Sequence, residues 1–209
     1  SMGGKGKLLS GVPGVEPAVV TVLGAGVVGY NAAKLAAGLG AQVNILDINM
    51  TRLRYLDDIM PENVTTVYSN SHNLENALTY TDLLIGAVLI PGAKAPKLIK
   101  KEMLSTMKSG SVIVDVAVDQ GGSVETSRPT SHEHPTYTVD GVIHYAVPNM
   151  PGIVANTASI SLSNATYTYV LNLANLGLKK AVDSIPAIAK GVNTLGGFVN
   201  SLAGHLPAR

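Results

Sequence analysis

A glycine-rich hexapeptide, Gly24-Ala25-Gly26-Val27-Val28-Gly29, has the spacing G-x-G-x-x-G that is typical of loops binding the pyrophosphate of a dinucleotide. In that role Gly24 permits a tight turn, Gly26 lets the backbone approach the phosphates, and Gly29 lets a helix pack closely on a strand. In a chain with 22 glycines the pattern alone is weak, and a plain turn between strand and helix would also explain it. Its context favours the binding role, because a β-branched apolar run precedes it and a helical pattern begins inside it.

An acidic residue, Asp47, ends the next apolar run, as a dinucleotide-binding unit requires. Its carboxylate is suited to accept hydrogen bonds from the adenosine ribose and would repel a 2′-phosphate, so the sequence predicts NAD rather than NADP. Arg52 follows on the next helical pattern. It either lies along the adenosine or is a solvated helix residue, and the sequence leaves both readings open.

A second candidate for chemistry is Asp119, which ends an apolar run predicted as a strand over 111–119 and precedes Gly121 and Gly122. An acid at a carboxyl strand end, beside glycines that leave room for a ligand, suits proton transfer near a nicotinamide. The alternative is an aspartate that simply forms a turn before two glycines. Asp115 has the same side-chain parity in this strand, and the sequence assigns it no role.

The positions of these residues depend on a regular alternation of strand and helix patterns, which predicts an α/β fold of the Rossmann type with a doubly wound parallel sheet. Apolar runs rich in β-branched residues predict strands over 19–24, 42–47, 64–69, 82–88, 111–119 and 141–147. Apolar residues at helical spacing predict helices over 27–40, 50–60, 73–81 and 95–107. The stretch 79–97, with two glycines and two prolines, falls at a carboxyl strand end and either lines the ligand crevice or is an ordinary loop.

The pattern changes near Pro151, where we place a domain boundary. Residues 1–152 are interpreted as the dinucleotide-binding domain, with 3–18 as a Gly- and Pro-rich linker. Residues 153–209 are interpreted as a C-terminal helical segment. A helix is predicted over 153–176, capped by Gly177, with no strong element after Ile188. One face of that helix is apolar and carries Leu162, Ala165, Tyr169, Leu173 and Leu176.

Composition excludes several classes of function. The chain of 209 residues is 46% hydrophobic and 14% charged, which is typical of a globular protein. Its net charge of +1 gives no reason to expect nucleic acid or a membrane surface as a partner. Without cysteine there is no thiolate chemistry, and His132 and His134 lack a third ligand nearby, so we expect no metal. No signal peptide or membrane-spanning run is recognisable, and we expect a cytoplasmic location.

Eight longer strings stand out along the chain: GGKGKLLSGVPGVEP (3–17), GAGVVG (24–29), LDIN (46–49), IGAVLIPGAKAPKL (85–98), VIVDVAVDQGG (112–122), SRPT (127–130), NMPG (149–152) and LSNATYTYVLNLAN (162–175). Together they resemble alanine dehydrogenases, members of the family that also includes nicotinamide nucleotide transhydrogenase. The NAD(H)-binding component of a proton-translocating transhydrogenase is the alternative within the family. GAVLIPGAKAPKL and DQGG favour the dehydrogenase.

The resemblance implies reversible oxidative deamination of L-alanine to pyruvate and ammonia, with hydride passing to NAD, in a homo-oligomer of two-domain subunits. It also implies that a substrate half, supplying an arginine, a lysine and a histidine, precedes this domain, and these 209 residues do not contain it. We therefore expect NAD binding but no turnover from this chain alone. A stand-alone NAD-binding module is the competing hypothesis. One local departure from the family pattern lies at 155–159.

The resemblance also assigns residues to parts of the cofactor. Val27 and Val28 would lie beneath the pyrophosphate, and Asp47 and Arg52 on the adenosine side, with Ser69 after the third strand. The remaining residues would contact the adenine, the ribose or the nicotinamide end: Val88, Leu89, Val116, Ala117, Val118, Asp119, Arg128, Val147, Pro148, Asn149 and Met150. Asp119 matches the family's catalytic acid.

Overall fold

The computed structural model describes residues 3–90, 94–195 and 197–199. These residues form two compact units, a sheet unit up to residue 148 and a helical unit from residue 149 onward. No helix in the described part of the chain is both long enough and apolar enough to cross a membrane.

The sheet unit is built on seven strands in the order β3-β2-β1-β4-β5-β7-β6, which confirms the predicted α/β class. Their bounds are β1 Val19–Leu23, β2 Gln42–Asp47, β3 Val64–Tyr68, β4 Leu83–Gly86, β5 Val112–Asp115, β6 Thr136–Val139 and β7 Val142–Tyr145. All neighbours are parallel except β6 and β7. The sequence did not predict β6, because its short run follows a polar loop. It forms a hairpin with β7 through Asp140 and Gly141, which both have positive φ.

Three helices follow the first three strands: α1 Val27–Gly38, α2 Met50–Ile59 and α3 Ser71–Tyr80. The central strands are buried on both sides, as expected for a parallel sheet. One apolar cluster joins Val20 and Val22 to the alanine face of α1, and the other joins Leu23 to Leu74 and Leu78 of α3. Small alanines on α1 allow this helix to approach the sheet closely, and that approach fixes the position of its N-terminus.

The helix predicted over 95–107 is wrong, because only a short 3₁₀ helix, Lys101–Thr106, forms there. The preceding residues contain Pro96 and run extended along the loop that follows β5. Ala95 donates its backbone N–H to the Gln120 carbonyl at 2.9 Å, and Leu98 donates to Ser123, also at 2.9 Å. These long-range bonds take the donors that a helix would have used internally.

The strand predicted over 111–119 is too long, since β5 ends at Asp115 and Val116–Gln120 form a 3₁₀ turn. The cause is the fully buried Asp115 carboxylate, which accepts the backbone N–H groups of Ala117, Ser123 and Val124 at 2.9–3.2 Å. The chain curls around this carboxylate instead of continuing straight. Asp119 therefore lies on the turn and does not end a strand.

The N-terminal segment is bound to Asp82, which lies directly before β4, at the amino end of the parallel strands. Lys5 and Lys7 donate from Nζ to the two Asp82 oxygens at 2.9 and 2.8 Å, and the Val19 backbone N–H donates at 2.9 Å. Burial favours a higher pKa for Asp82, but the bonds from Lys7, Val19 and Lys5 outweigh it and lower the pKa from 3.8 to about 2. The stretch predicted as a linker is thus held by charge-assisted hydrogen bonds.

The helical unit begins with a 3₁₀ turn, Met150–Val154, and continues as α4 Ala155–Ser184 and α5 Pro186–Gly191. Two-residue strands, β8 Thr194–Leu195 and β9 Phe198–Val199, form a hairpin after the point where the sequence predicted no strong element. Gly177, the predicted cap, has φ 73° and breaks the helical geometry, but the helix resumes beyond it. Prediction and structure agree on the break and differ on where the helix ends.

Candidate functional site

The residues singled out in the sheet unit are grouped at the carboxyl edge of the parallel sheet. The strand order reverses at β1, with β2 and β3 on one side and β4 and β5 on the other. Connections leave such a point in opposite directions, which opens a crevice beyond the strand ends where α/β proteins bind ligands. Gly24 follows β1, Asp47 ends β2, Val88 follows β4 and Val116 follows β5.

The three glycines of the turn after β1 differ in their surroundings: packing requires two of them, and the third borders open space. Gly24 has φ +93°, and a Cβ there would lie 2.8 Å from the Ala87 carbonyl oxygen. A Cβ at Gly29 would lie 1.7 Å from the Gly24 carbonyl oxygen, so α1 reaches its position only with glycine there. A Cβ at Gly26 would meet nothing within 4 Å. Gly26 therefore borders open space, as a close backbone approach to a ligand requires.

The N-terminus of α1 fits a phosphate group. Gly26 is its N-cap and offers no side-chain cap, and the first turn contains no acidic residue. The first turns of α2 and α3, by contrast, are capped by the side chains of Asn49 and Asn70. Val27 is 79% exposed and Val28 48% exposed. Backbone N–H groups at such a helix start lack helical acceptors, and together with the helix dipole they attract an anion.

Asp47 is half-buried and holds the glycine turn from the end of β2. One carboxylate oxygen accepts the Ala25 N–H at 2.6 Å and the other accepts the Asn49 N–H at 2.8 Å. A carboxylate oxygen accepts more than one hydrogen bond, so both oxygens keep capacity for a ribose hydroxyl. The Asp47 carbonyl also accepts the Ser69 N–H at 2.9 Å, which connects the end of β3 to this part of the crevice.

The segment after β4 presents a mixture of buried and exposed apolar side chains. The Ala87 N–H donates to the Leu23 carbonyl at 2.8 Å, which keeps this segment beside the glycine turn. Val88 is half-buried against the core, and Leu89 is 63% exposed. An exposed leucine beside a glycine turn offers an apolar surface for a flat ring such as adenine.

The loop after β5 carries Asp119 on its exposed side. Val116 is half-buried, and Ala117 and Val118 are buried, so only the backbone and the flanking side chains of this turn are accessible. Gly86 and Gly122 are required for the packing around Asp115: a Cβ at Gly86 would lie 2.2 Å from the Ser123 oxygen, and one at Gly122 would lie 2.7 Å from an Asp115 oxygen. Sequence reasoning missed the role of Asp115, because it depends on contacts across a closed loop.

Two buried side-chain oxygens, Gln120 Oε1 and Ser127 Oγ, have no hydrogen-bond partner in the described part of the chain, and Gln120 directly follows Asp119. Buried polar atoms are nearly always paired in folded proteins, so orphaned ones indicate a place for a polar ligand group or a water. Ser127 is close to the loop, since a Cβ at Gly122 would lie 3.0 Å from its Cβ. From the sequence, these oxygens could be noticed only through the position of Gln120 before Gly121 and Gly122 and of Ser127 in the SRPT string.

The remaining predicted residues divide between the two units. Arg128 is exposed, and its guanidinium lies 4.3 Å from the centre of the Tyr137 ring. Val147 is buried just after β7, and the half-buried Pro148 closes the sheet unit. Asn149, with φ 53°, and Met150 start the helical unit. Their contacts with a cofactor stay predictions.

No group of three or more metal-ligating side chains occurs among the described residues. Among the described residues the one fully buried histidine is His144, which stacks on Tyr137 with ring centres 5.0 Å apart, and its Nε2 lies 2.8 Å from the Thr126 hydroxyl. Burial lowers its pKa, so it is a neutral core residue near pH 7.

A doubly wound sheet, a G-x-G-x-x-G turn after its first strand and an acid at the end of the second define a Rossmann-type dinucleotide-binding fold. The family model described as "Alanine dehydrogenase/PNT, C-terminal domain" matches residues 1–201. The chain belongs to this family.

Two curated relatives of the chain are alanine dehydrogenases. The chain is 60% identical to the alanine dehydrogenase of Methanococcus maripaludis over 94% of its own length and 53% of the relative's. It is 56% identical to the alanine dehydrogenase of Bacillus subtilis over 94% of its length and 52% of the relative's. The chain thus spans about half the length of these curated relatives.

Solved structures separate the two branches of the family. A solved L-alanine dehydrogenase superposes with a TM-score of 0.89 at 56% identity, covering 94% of this chain and 54% of that one. A transhydrogenase from Sinorhizobium meliloti superposes with a TM-score of 0.70 at 28% identity, covering 88% and 50%. The greater likeness is to the dehydrogenase, as the residue strings predicted.

Proposed function

We propose that this chain is the NAD(H)-binding half of an L-alanine dehydrogenase, an enzyme that converts L-alanine, NAD and water to pyruvate, ammonia and NADH. The observation that carries the proposal is the uncapped N-terminus of α1 beside Gly26, with the Asp47 carboxylate at the adjoining strand end. An anion site next to a ribose acceptor is the arrangement that a dinucleotide needs.

In this proposal each part of the crevice binds a different part of the cofactor. The N–H groups at Val27 and Val28 bind the pyrophosphate. Asp47 accepts from the adenosine ribose, with Arg52 and Ser69 on the same side, and Val88 and Leu89 contact the adenine or its ribose. The nicotinamide end is lined by the following residues of the sheet unit: Val116, Ala117, Val118, Asp119, Arg128, Val147 and Pro148. The orphaned oxygens of Gln120 and Ser127 lie in this region and are suited to a carboxamide or a bound water.

NAD is preferred over NADP because of the charge at Asp47. A 2′-phosphate would lie against a carboxylate whose two oxygens are fixed by the Ala25 and Asn49 N–H groups. Because the carboxylate is held in place, it cannot turn away from the phosphate, and the repulsion remains.

Asp119 is the candidate catalytic acid of the proposed reaction. A bound nicotinamide would supply the acceptor for the hydride that leaves the substrate Cα. Asp119 is exposed on the 3₁₀ turn that follows β5, where it is suited to transfer protons as the amine of the substrate is converted to a carbonyl. One carboxylate cannot also orient the substrate, so clamping the alanine carboxylate is a task for the other half of the enzyme.

The test combines binding with turnover. NADH fluorescence on this chain should report binding, and alanine-dependent NADH formation should stay at background. Losing substrate positioning alone removes about 7–11 kcal/mol of barrier lowering. Adding the N-terminal half of the Methanococcus maripaludis relative in trans should restore some turnover, and Asp119→Asn should abolish it while leaving NADH affinity nearly unchanged. Turnover by the bare chain would refute the need for a second half. Binding without turnover in the combined system would favour a stand-alone NAD-binding module.

A further inference from the structure

Arg52 makes a contact that its expected adenosine role does not explain. Its Nε donates to the backbone carbonyl of Ala25 at 2.7 Å, across 27 positions in the sequence. Ala25 is fully buried and lies between the two glycines that open the phosphate-binding turn. Arg52 therefore binds the turn itself.

The bond from Arg52 is one of two side-chain hydrogen bonds to the Ala25 backbone. The Asp47 carboxylate accepts the N–H of the peptide that precedes Ala25, and Arg52 donates to the carbonyl of the peptide that follows it. Both peptide planes of the turn are fixed by oppositely charged side chains at the end of β2 and on α2. Such charge-assisted hydrogen bonds are about twice as strong as neutral ones.

Two aromatic rings hold the guanidinium in place. Its central carbon lies 5.6 Å from the centre of the Tyr30 ring on α1 and 5.2 Å from that of Tyr55 on α2. Cation–π contacts at these distances restrict a side chain that would otherwise sample many rotamers. These contacts and the bond to Ala25 restrict Arg52 within the protein itself.

Building on the proposed function, we propose that Arg52 is a positioning residue that holds the Gly24–Gly26 turn in the conformation that binds pyrophosphate. The bond to Ala25 uses one of five guanidinium donors, so a contact with adenosine is compatible with it. A purely ligand-contacting arginine would leave the free protein unchanged on removal. A bracing arginine would loosen the turn even without ligand, and this difference separates the two roles.

The experiment measures amide hydrogen exchange at Ala25 by NMR in ligand-free protein, and NADH affinity by fluorescence. The variants are Arg52→Met and Arg52→Lys, with Arg54→Met as the control because Arg54 is exposed on the same helix. Both Arg52 variants should accelerate exchange at Ala25 by about 10-fold or more and weaken NADH binding by a similar factor, since each loses a charge-assisted hydrogen bond. Arg54→Met should change neither quantity.

Three results would overturn the proposal. Weaker NADH binding with unchanged exchange would make Arg52 a ligand contact only, and unchanged values for both would make it a surface residue. Full rescue of exchange by Arg52→Lys would show that any cationic donor at this position suffices and that the Nε geometry of arginine is not required. If the wild-type chain binds no NADH, the proposed function fails, while the exchange data still decide whether Arg52 braces the turn.

Discussion

Asp82 offers a sharp test of how the N-terminal segment is attached, because its carboxylate is 8% exposed and bonded to Lys5 and Lys7. Its pKa is lowered from 3.8 to about 2: burial opposes the shift, and the bonds from Lys7, Val19 and Lys5 outweigh burial. At roughly 1.4 kcal/mol per pKa unit, this lowering contributes about 2 kcal/mol to the free energy of unfolding. Since the pKa of the folded state is the lower one, the contribution is complete above pH 3.8 and is lost as the pH falls towards 2.

Asp82→Asn should therefore lower the free energy of unfolding by about 2 kcal/mol at pH 7, measured by urea denaturation. The difference from wild type should shrink as the pH falls below 4, because Asp82 of the unfolded wild type then takes up a proton, and it should vanish as the folded carboxylate is protonated near pH 2. Asp58→Asn, on the exposed side of α2, is the matched control and should have little effect. A difference of the same size at pH 7 and at pH 2.5 would refute the argument from the charged carboxylate. So would an unchanged stability after replacing both Lys5 and Lys7 with methionine.

Three further predictions concern the cofactor crevice and the helical unit. NADP should bind about 30–100-fold more weakly than NAD, and Asp47→Ala should narrow this gap; equal affinities of the wild-type chain in calorimetry would contradict the ribose assignment. Gly29→Val should abolish NADH binding or folding, because even a Cβ would lie 1.7 Å from the Gly24 oxygen, and normal binding with a native circular dichroism spectrum would disprove this reading. The chain should self-associate, since Leu162, Tyr169 and Leu176 of α4 are 65%, 44% and 41% exposed among the described residues. A folded monomer in light scattering at micromolar concentration would argue against this.

The sequence alone predicted six strands of the sheet in order and the helices α1, α2 and α3, but it missed β6 and its helix over 95–107 was wrong. Strands buried on both faces appear as continuous β-branched runs, and helices appear as apolar residues at 3.6-residue spacing, so both signals are local. The G-x-G-x-x-G turn and Asp47 were also recognisable, because their chemistry depends on neighbours in the chain and on the alternation of strand and helix. The strings that resemble alanine dehydrogenases also predicted the dehydrogenase branch of the family rather than the transhydrogenase branch.

Only the tertiary structure decided features that depend on hydrogen bonds between distant segments. Asp115 ends β5 early because its carboxylate accepts N–H groups of the loop that follows the strand. Ala95 and Leu98 donate their backbone N–H groups to carbonyls of the same loop, so the predicted helix does not form there. Arg52 reaches back to Ala25 for the same reason. In each case a charged side chain or a backbone N–H group forms its hydrogen bond with a residue many positions away in the chain. The local sequence does not reveal such partners. Because an unpaired buried polar group costs free energy of folding, these hydrogen bonds decide which local structure forms.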